Sequence, residues 1–213
     1  KEYRRQRQMC IRDSTFCSNA ISEVIFLSNS FPRLGKPAPL FEADVVRFDS
    51  RKKQIFFDKI SLNKIIEEKK WAVIFFYARD FSDLCPTEIH SFNRRIKDFE
   101  RANCVLIGCS TDSKNSHKAW MEKPRTKGGI DKLSYPLMAD PSLRISTSYG
   151  VLQRSLGQAL RGTFIINDEG ILMSMAVNPA WIGRSVDETV RTLQALQSGK
   201  SCPAGWRPGR KTL

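Results

Sequence analysis

The chain has 213 residues, 41% hydrophobic and 27% charged, with a formal charge of +13. Those values point to one soluble domain of ordinary size plus tails, and away from fibrous or wholly disordered polymers. The longest strongly apolar run, Trp71 to Tyr77, is far too short to span a bilayer, so no membrane association is expected.

The basic residues are scattered or sit near the ends, and no basic helix with interleaved aromatics occurs in the middle. No specific nucleic-acid partner is therefore expected. Six cysteines fall at positions 10, 17, 85, 104, 109 and 202, with no Cys-x-x-Cys pair, and the only histidines are His90 and His117. This argues against a disulfide scaffold and a structural zinc site, and for one or two reactive thiols in a reducing compartment, with no metal site expected.

Residues 1–31 are polar, basic and poorly periodic, and read as a disordered or non-native flank. The folded domain, residues 32–197, opens at Leu34-Gly35-Lys36-Pro37-Ala38-Pro39, where two prolines and a glycine mark an irregular entry. Ser61 to Lys69 predicts a short helix with Leu62, Ile65 and Ile66 on one face. Trp71 to Tyr77 predicts a strand buried on both faces. Pro86 to Arg101 predicts one amphipathic helix, because Ile89, Phe92, Ile96 and Phe99 recur at helical spacing. Cys104 to Ser110 predicts the next buried strand. Strand, helix and strand in that order imply a parallel βαβ unit.

A helix follows over Asn115 to Glu122. Gly162 to Asn167 and Ile171 to Val177 predict a hairpin around Asp168-Glu169-Gly170. Ser185 to Leu196 predicts the last helix, with Ser185 and Glu188 at capping-box spacing and Val186, Val190 and Leu193 as its apolar stripe. Residues 198–213 predict an extended tail. The sum is an α/β chain with a thioredoxin-like fold, a central mixed β-sheet flanked by helices.

Cys85 stands between the first buried strand and the amphipathic helix. Pro86 suits the first helical turn, where its missing N–H costs nothing. The free N–H groups of that turn can face the sulfur and favour its thiolate. A cation would add to this, and Arg79, Arg94, Arg144, Arg161 and Arg184 are all candidates from sequence. The plainer reading is a small core hydrophobe, as most free cysteines are. A Cys–His hydrolase is disfavoured: His90 lies about 140° round the helix from Cys85, and nothing near His117 suggests a triad.

From about Leu34 to Gly209 the chain resembles a typical 2-Cys peroxiredoxin. The matching pieces are Gly35-Lys36-Pro37-Ala38-Pro39, Cys85-Pro86-Thr87-Glu88-Ile89 and His117-Lys118-Ala119-Trp120, then Tyr149-Gly150-Val151 and Arg161-Gly162-Thr163-Phe164-Ile165-Ile166. Gly183-Arg184-Ser185-Val186-Asp187-Glu188-Thr189 and Cys202-Pro203-Ala204-Gly205-Trp206 complete the series.

The resemblance implies a thiol peroxidase acting on hydroperoxides. It makes Cys85 the peroxidatic cysteine, oxidised to a sulfenic acid, and Arg161 the arginine that stabilises the thiolate and polarises the peroxide. It puts Ser82 where relatives carry a substrate-binding threonine, and Glu88 and Arg184 in a supporting network. It makes Cys202 the resolving cysteine, supplied by a partner subunit and forming an intersubunit disulfide that thioredoxin reduces. It further implies a homodimer or a decameric ring, no cofactor, and a cytoplasmic or alternatively mitochondrial setting. Cys104 and Cys109, on a buried strand, are expected to be inert, and Cys10 and Cys17 to be bystanders.

The chain departs from the family pattern in the stretch Ala78-Arg79-Asp80-Phe81-Ser82-Asp83-Leu84-Cys85. Relatives have Pro for Ala78, Thr for Ser82 and an apolar residue for Asp83. An acidic group two positions from the thiol disfavours the thiolate, which predicts a slower or altered peroxidase. Gly128-Gly129-Ile130-Asp131 replaces the Gly-Gly-Leu-Gly of oxidation-sensitive relatives, and no Tyr-Phe follows near the end, so resistance to sulfinic-acid formation is expected. A peroxiredoxin-like chaperone or scaffold with weakened peroxidase activity, favoured by the changes at Ala78, Arg79 and Asp83, is the competing reading. A thioredoxin-type disulfide reductase is disfavoured by the missing Cys-x-x-Cys.

Overall fold

The structure is a computed structural model, and it describes residues 31–213. The readings of residues 1–30, including Cys10 and Cys17, lie outside the described residues. Strands β1 (Glu42–Asp49), β2 (Gln54–Ser61), β3 (Trp71–Phe76), β4 (Cys104–Ser110), β5 (Leu137–Ala139), β8 (Arg161–Ile166) and β9 (Leu172–Asn178) form one sheet, in the order β2-β1-β5-β4-β3-β8-β9. The β3–β4 and β4–β5 pairs are parallel and the others antiparallel. A small pair, β6 (Leu152–Gln153) and β7 (Gln158–Ala159), stands apart. This is the mixed, thioredoxin-like sheet expected from sequence.

Strand β3 shows why its run is apolar throughout. Val73, Phe75 and Tyr77 enter the core on one face, and Ala72, Ile74 and Phe76 enter the core on the other. Helix α2 (Cys85–Arg94) and the last helix, α6 (Val186–Gln197), bury Ile89, Phe92, Val190 and Leu193 on the Phe75 side. Phe75 and Phe92 stack with centroids 4.1 Å apart. Each buried ring contributes roughly 2–3 kcal/mol by area, and the pair fixes α2 against the sheet. Helix α1 (Leu62–Glu67) places Leu62 and Ile65 in the opposite core. It begins at Ser61, whose hydroxyl accepts from Lys64 N at 3.2 Å.

The helix predicted over Pro86 to Arg101 is two helices. Arg95, at φ −98° and ψ 9°, separates α2 from α3 (Ile96–Arg101). The apolar spacing runs through a one-residue break, so the break leaves no trace in the pattern. Helix α4 (Lys114–Glu122) is capped by Ser113. A short α5 (Arg144–Ser148) was not predicted; buried Asp140 accepts from the N–H groups of Ile145 and Ser146 at its start.

The β8–β9 turn is as expected, with Gly170 at φ 80°. At α6 half of the capping box forms. Ser185 Oγ accepts from Glu188 N, but the Glu188 carboxylate turns to Arg191 instead of reaching back. Residues 198–213 are not simply extended. Trp206 is buried, Arg191 donates to its carbonyl, and Leu213 N donates to Ser201 O.

Candidate active site

Cys85 is the first residue of α2, with Pro86 behind it and no side chain capping the helix start. The thiol is fully buried. Of the arginines that sequence could not rank, Arg161 reaches it. Arg161 begins β8, the strand next to the β9 edge of the sheet, and its Nη1 donates to Cys85 Sγ at 3.5 Å. The guanidinium is itself buried, and its Nε donates to the Ala180 carbonyl at 2.6 Å. No backbone acceptor of that kind can be read from a sequence.

Glu88, one turn along α2, ties the arginines together. It accepts from Arg161 Nη1, and from Arg184 N, Nε and Nη2 at 2.8, 2.8 and 3.0 Å. Burial raises the Glu88 carboxyl, but the hydrogen bonds and charge of Arg184, with the charge of Arg161, more than offset it. The net position is below the ordinary glutamate value. Arg184 also donates to the Gly162 carbonyl at 2.8 Å, and its guanidinium lies 5.3 Å from the Phe75 ring centroid.

Ser82 lies three residues before the sulfur, and its hydroxyl donates to the Arg79 carbonyl at 3.1 Å. Among the described residues it makes no hydrogen bond to Cys85. Asp83 is exposed. Phe81 holds φ 54°, a left-handed conformation that costs a non-glycine residue roughly 1–2 kcal/mol. Its ring leans on Trp120, centroids 5.7 Å apart. Cys202 is partly buried beyond the end of α6, its sulfur 3.5 Å from Ser198 Oγ.

His117 makes no pair with the thiol. Its Nδ1 faces Asp80 Oδ2 at 2.8 Å and its Nε2 faces the Met138 carbonyl at 3.2 Å. That leaves no ring nitrogen for a hydrolase triad. Burial raises the thiols of Cys104 and Cys109 well above the ordinary cysteine value, which suits packing and not chemistry.

A buried sulfur at a helix start, met by a buried guanidinium on a thioredoxin-like sheet, defines a cysteine-dependent oxidoreductase. Residues 34–175 match the AhpC/TSA family. The putative peroxiredoxin YkuU of Bacillus subtilis is 47% identical over 180 residues, 84% of this chain and 97% of that one. The chloroplastic 2-Cys peroxiredoxin BAS1 of Arabidopsis thaliana is 46% identical over 191 residues, 87% of this chain and 69% of that one. The reduced 2-Cys peroxiredoxin of Plasmodium vivax superposes with a TM-score of 0.78 at 37% identity, covering 84% of this chain and 91% of that one. The chain belongs to the AhpC/TSA family, as a 2-Cys peroxiredoxin, and is a peroxidase.

Proposed function

We propose that the protein reduces hydrogen peroxide and organic hydroperoxides through Cys85 and Cys202. The Cys85 thiolate attacks the distal peroxide oxygen, the O–O bond breaks, and the departing alkoxide or hydroxide takes a proton. Cys85 is left as a sulfenic acid. Cys202 of the partner subunit displaces that hydroxyl as water, forming an intersubunit disulfide. Thioredoxin's dithiol reduces the disulfide, in a cytoplasmic or mitochondrial setting.

The observation that carries this reading is Arg161 Nη1, 3.5 Å from the Cys85 sulfur and held by Glu88. A guanidinium there steadies the thiolate and the negative charge that builds on the leaving oxygen. Glu88 and Arg184 act by aiming Arg161. Ser82 serves the peroxide only after its hydroxyl turns away from the Arg79 carbonyl, a single χ1 rotation.

A non-reducing gel after one equivalent of peroxide tests the reading, run beside Cys85→Ser and Cys202→Ser. A disulfide-linked dimer that needs both cysteines is expected. A protein that stays monomeric on the gel defeats this chemistry and favours the scaffold reading that Ala78, Arg79 and Asp83 raise.

A further inference from the structure

The residues just before the thiol carry a second buried cluster that the chemistry above does not use. Asp80 is almost fully buried, and Tyr77 and His117 are completely so. The Asp80 carboxylate accepts from Tyr77 Oη at 2.8 Å and from Ser116 Oγ at 2.7 Å, and lies 2.8 Å from His117 Nδ1. Its backbone N–H donates to Asp112 Oδ2 at 2.9 Å, and Asp112 also accepts from Ser110 Oγ at 2.7 Å. A buried carboxylate with this many partners is a fixed point, because withdrawing it strands a charge and several polar groups at once.

The next residues are held differently. Phe81 is half-exposed, the Ser82 hydroxyl bonds only to Arg79 O, and Thr87 N and Oγ1 both donate to Leu84 O. All of those hydrogen bonds are local. The segment's long-range hydrogen bond is the one from Arg161 Nη1 to the Cys85 sulfur, 3.5 Å long, and at Glu88 the long-range ties multiply, to Arg161 and Arg184. The Cys85 sulfur has no exposed surface, so no thiol of another chain reaches it unless its surroundings move.

We propose that Asp80, with His117 and Ser116 behind it, is a positioning residue. It is the fixed upstream end of a segment, Phe81 to Thr87, that carries Cys85 between a peroxide-facing and a Cys202-facing state, with Glu88 as the downstream end. The proposal rests on the peroxidase reading for its kinetics and on the fold alone for its mechanics. Loosening Asp80 lets Cys85 drift from Arg161, so the peroxide step slows. The same loosening does not hinder the outward movement, so disulfide formation is not slowed. An ordinary loss of stability would not split the two steps in this way.

Stopped-flow fluorescence separates sulfenate formation from disulfide formation, and residue-resolved hydrogen exchange follows residues 77–88. Asp80→Asn and the milder Ser116→Ala are the variants, the second keeping the test alive if the first does not fold. Sulfenate formation should fall about tenfold in Asp80→Asn and less in Ser116→Ala, with disulfide formation unchanged or faster. In the reduced wild type, the amides from Ser82 to Leu84 should exchange faster than those of Tyr77 and Asp80. In the disulfide form only Phe81 to Thr87 should lose further protection. Parallel slowing of both steps, unchanged rates, or equal exchange on both sides of Asp80 overturns the proposal. If wild type forms no disulfide, the peroxidase reading fails, and the exchange pattern of the reduced protein decides this proposal alone.

Discussion

Arg184 grips Glu88 at both carboxylate oxygens, and Glu88 passes that hold on to Arg161, whose guanidinium meets the Cys85 sulfur. The thiol is thus aimed through a chain of buried charges, and the centre of that chain is a single carboxylate.

Glu88→Gln should therefore cost about 3–5 kcal/mol, because it leaves two buried guanidiniums short of a counter-charge. It should also slow peroxide reduction. The Glu88 carboxyl sits below its ordinary value in the folded chain. The stability it contributes is complete above the unfolded value, 4.5, and is lost as the pH falls through the lower folded value. Urea titrations between pH 7 and pH 3 should show the wild type converging on Glu88→Gln at the acid end. A constant gap across that range contradicts the assignment.

Arg161→Lys should keep the fold and lose about 100-fold in the rate of peroxide reduction. Lysine retains the charge but cannot hold Cys85, Glu88 and the Ala180 carbonyl with one planar group. Second-order rates with hydrogen peroxide, beside a thermal melt, check this. A loss below fivefold would show that charge alone suffices.

Much of this arrangement is legible in the chain, for different reasons. Trp71 to Phe76 is apolar on both faces because both faces are core, so β3 announces itself. The hairpin of β1 and β2 does not. Its strands carry Asp44, Arg47, Asp58 and Lys59 and bury little beyond Val45, Val46 and Ile60, so neither alternation nor an apolar run survives. Arg161, Glu88 and Arg184 came from motif likeness, since nothing local marks residues 73 and 96 positions apart as neighbours. The Asp80–His117 pair, 37 positions apart, left only a weak hint: an acidic residue directly after a buried strand.

Asp83→Val should speed the peroxide step roughly two- to fivefold at low salt, because it removes an exposed negative charge two residues from the thiolate. The gain should shrink as ionic strength rises, since an exposed charge is screened within about 10 Å at 0.1 M salt. A rate series in sodium chloride reads this directly. An equal gain at all salt concentrations would point to shape and not to charge.

Iodoacetamide should leave Cys104 and Cys109 untouched in the native reduced protein while modifying the partly buried Cys202. Both strand thiols are buried and pushed far from their thiolate form, and only the thiolate reacts. Peptide mass spectrometry after native labelling measures it. Early labelling of Cys104 or Cys109 would mean that β4 opens readily, contrary to its place in the sheet.

The turn at Gly128-Gly129-Ile130-Asp131 gives the last expectation. Gly129 leaves no room for a side chain, because a Cβ there would sit 1.8 Å from the Lys123 carbonyl oxygen. Ile130 is fully buried, and Asp131 takes φ 56° where the oxidation-sensitive relatives have glycine. Aspartate tolerates that conformation better than most side chains but less freely than glycine, which tilts the balance toward a looser turn. A looser turn would offer less resistance to movement of the Cys85 segment. A sulfenate that reaches its resolving thiol quickly escapes the second peroxide. Cys85 should therefore stay free of sulfinic acid through repeated turnover at peroxide levels that inactivate sensitive relatives, and Asp131→Gly should increase sulfinic acid. Mass spectrometry of the Cys85 peptide after turnover decides it: dioxidation at modest peroxide in the wild type, or no change in Asp131→Gly, would break the link between this turn and the thiol.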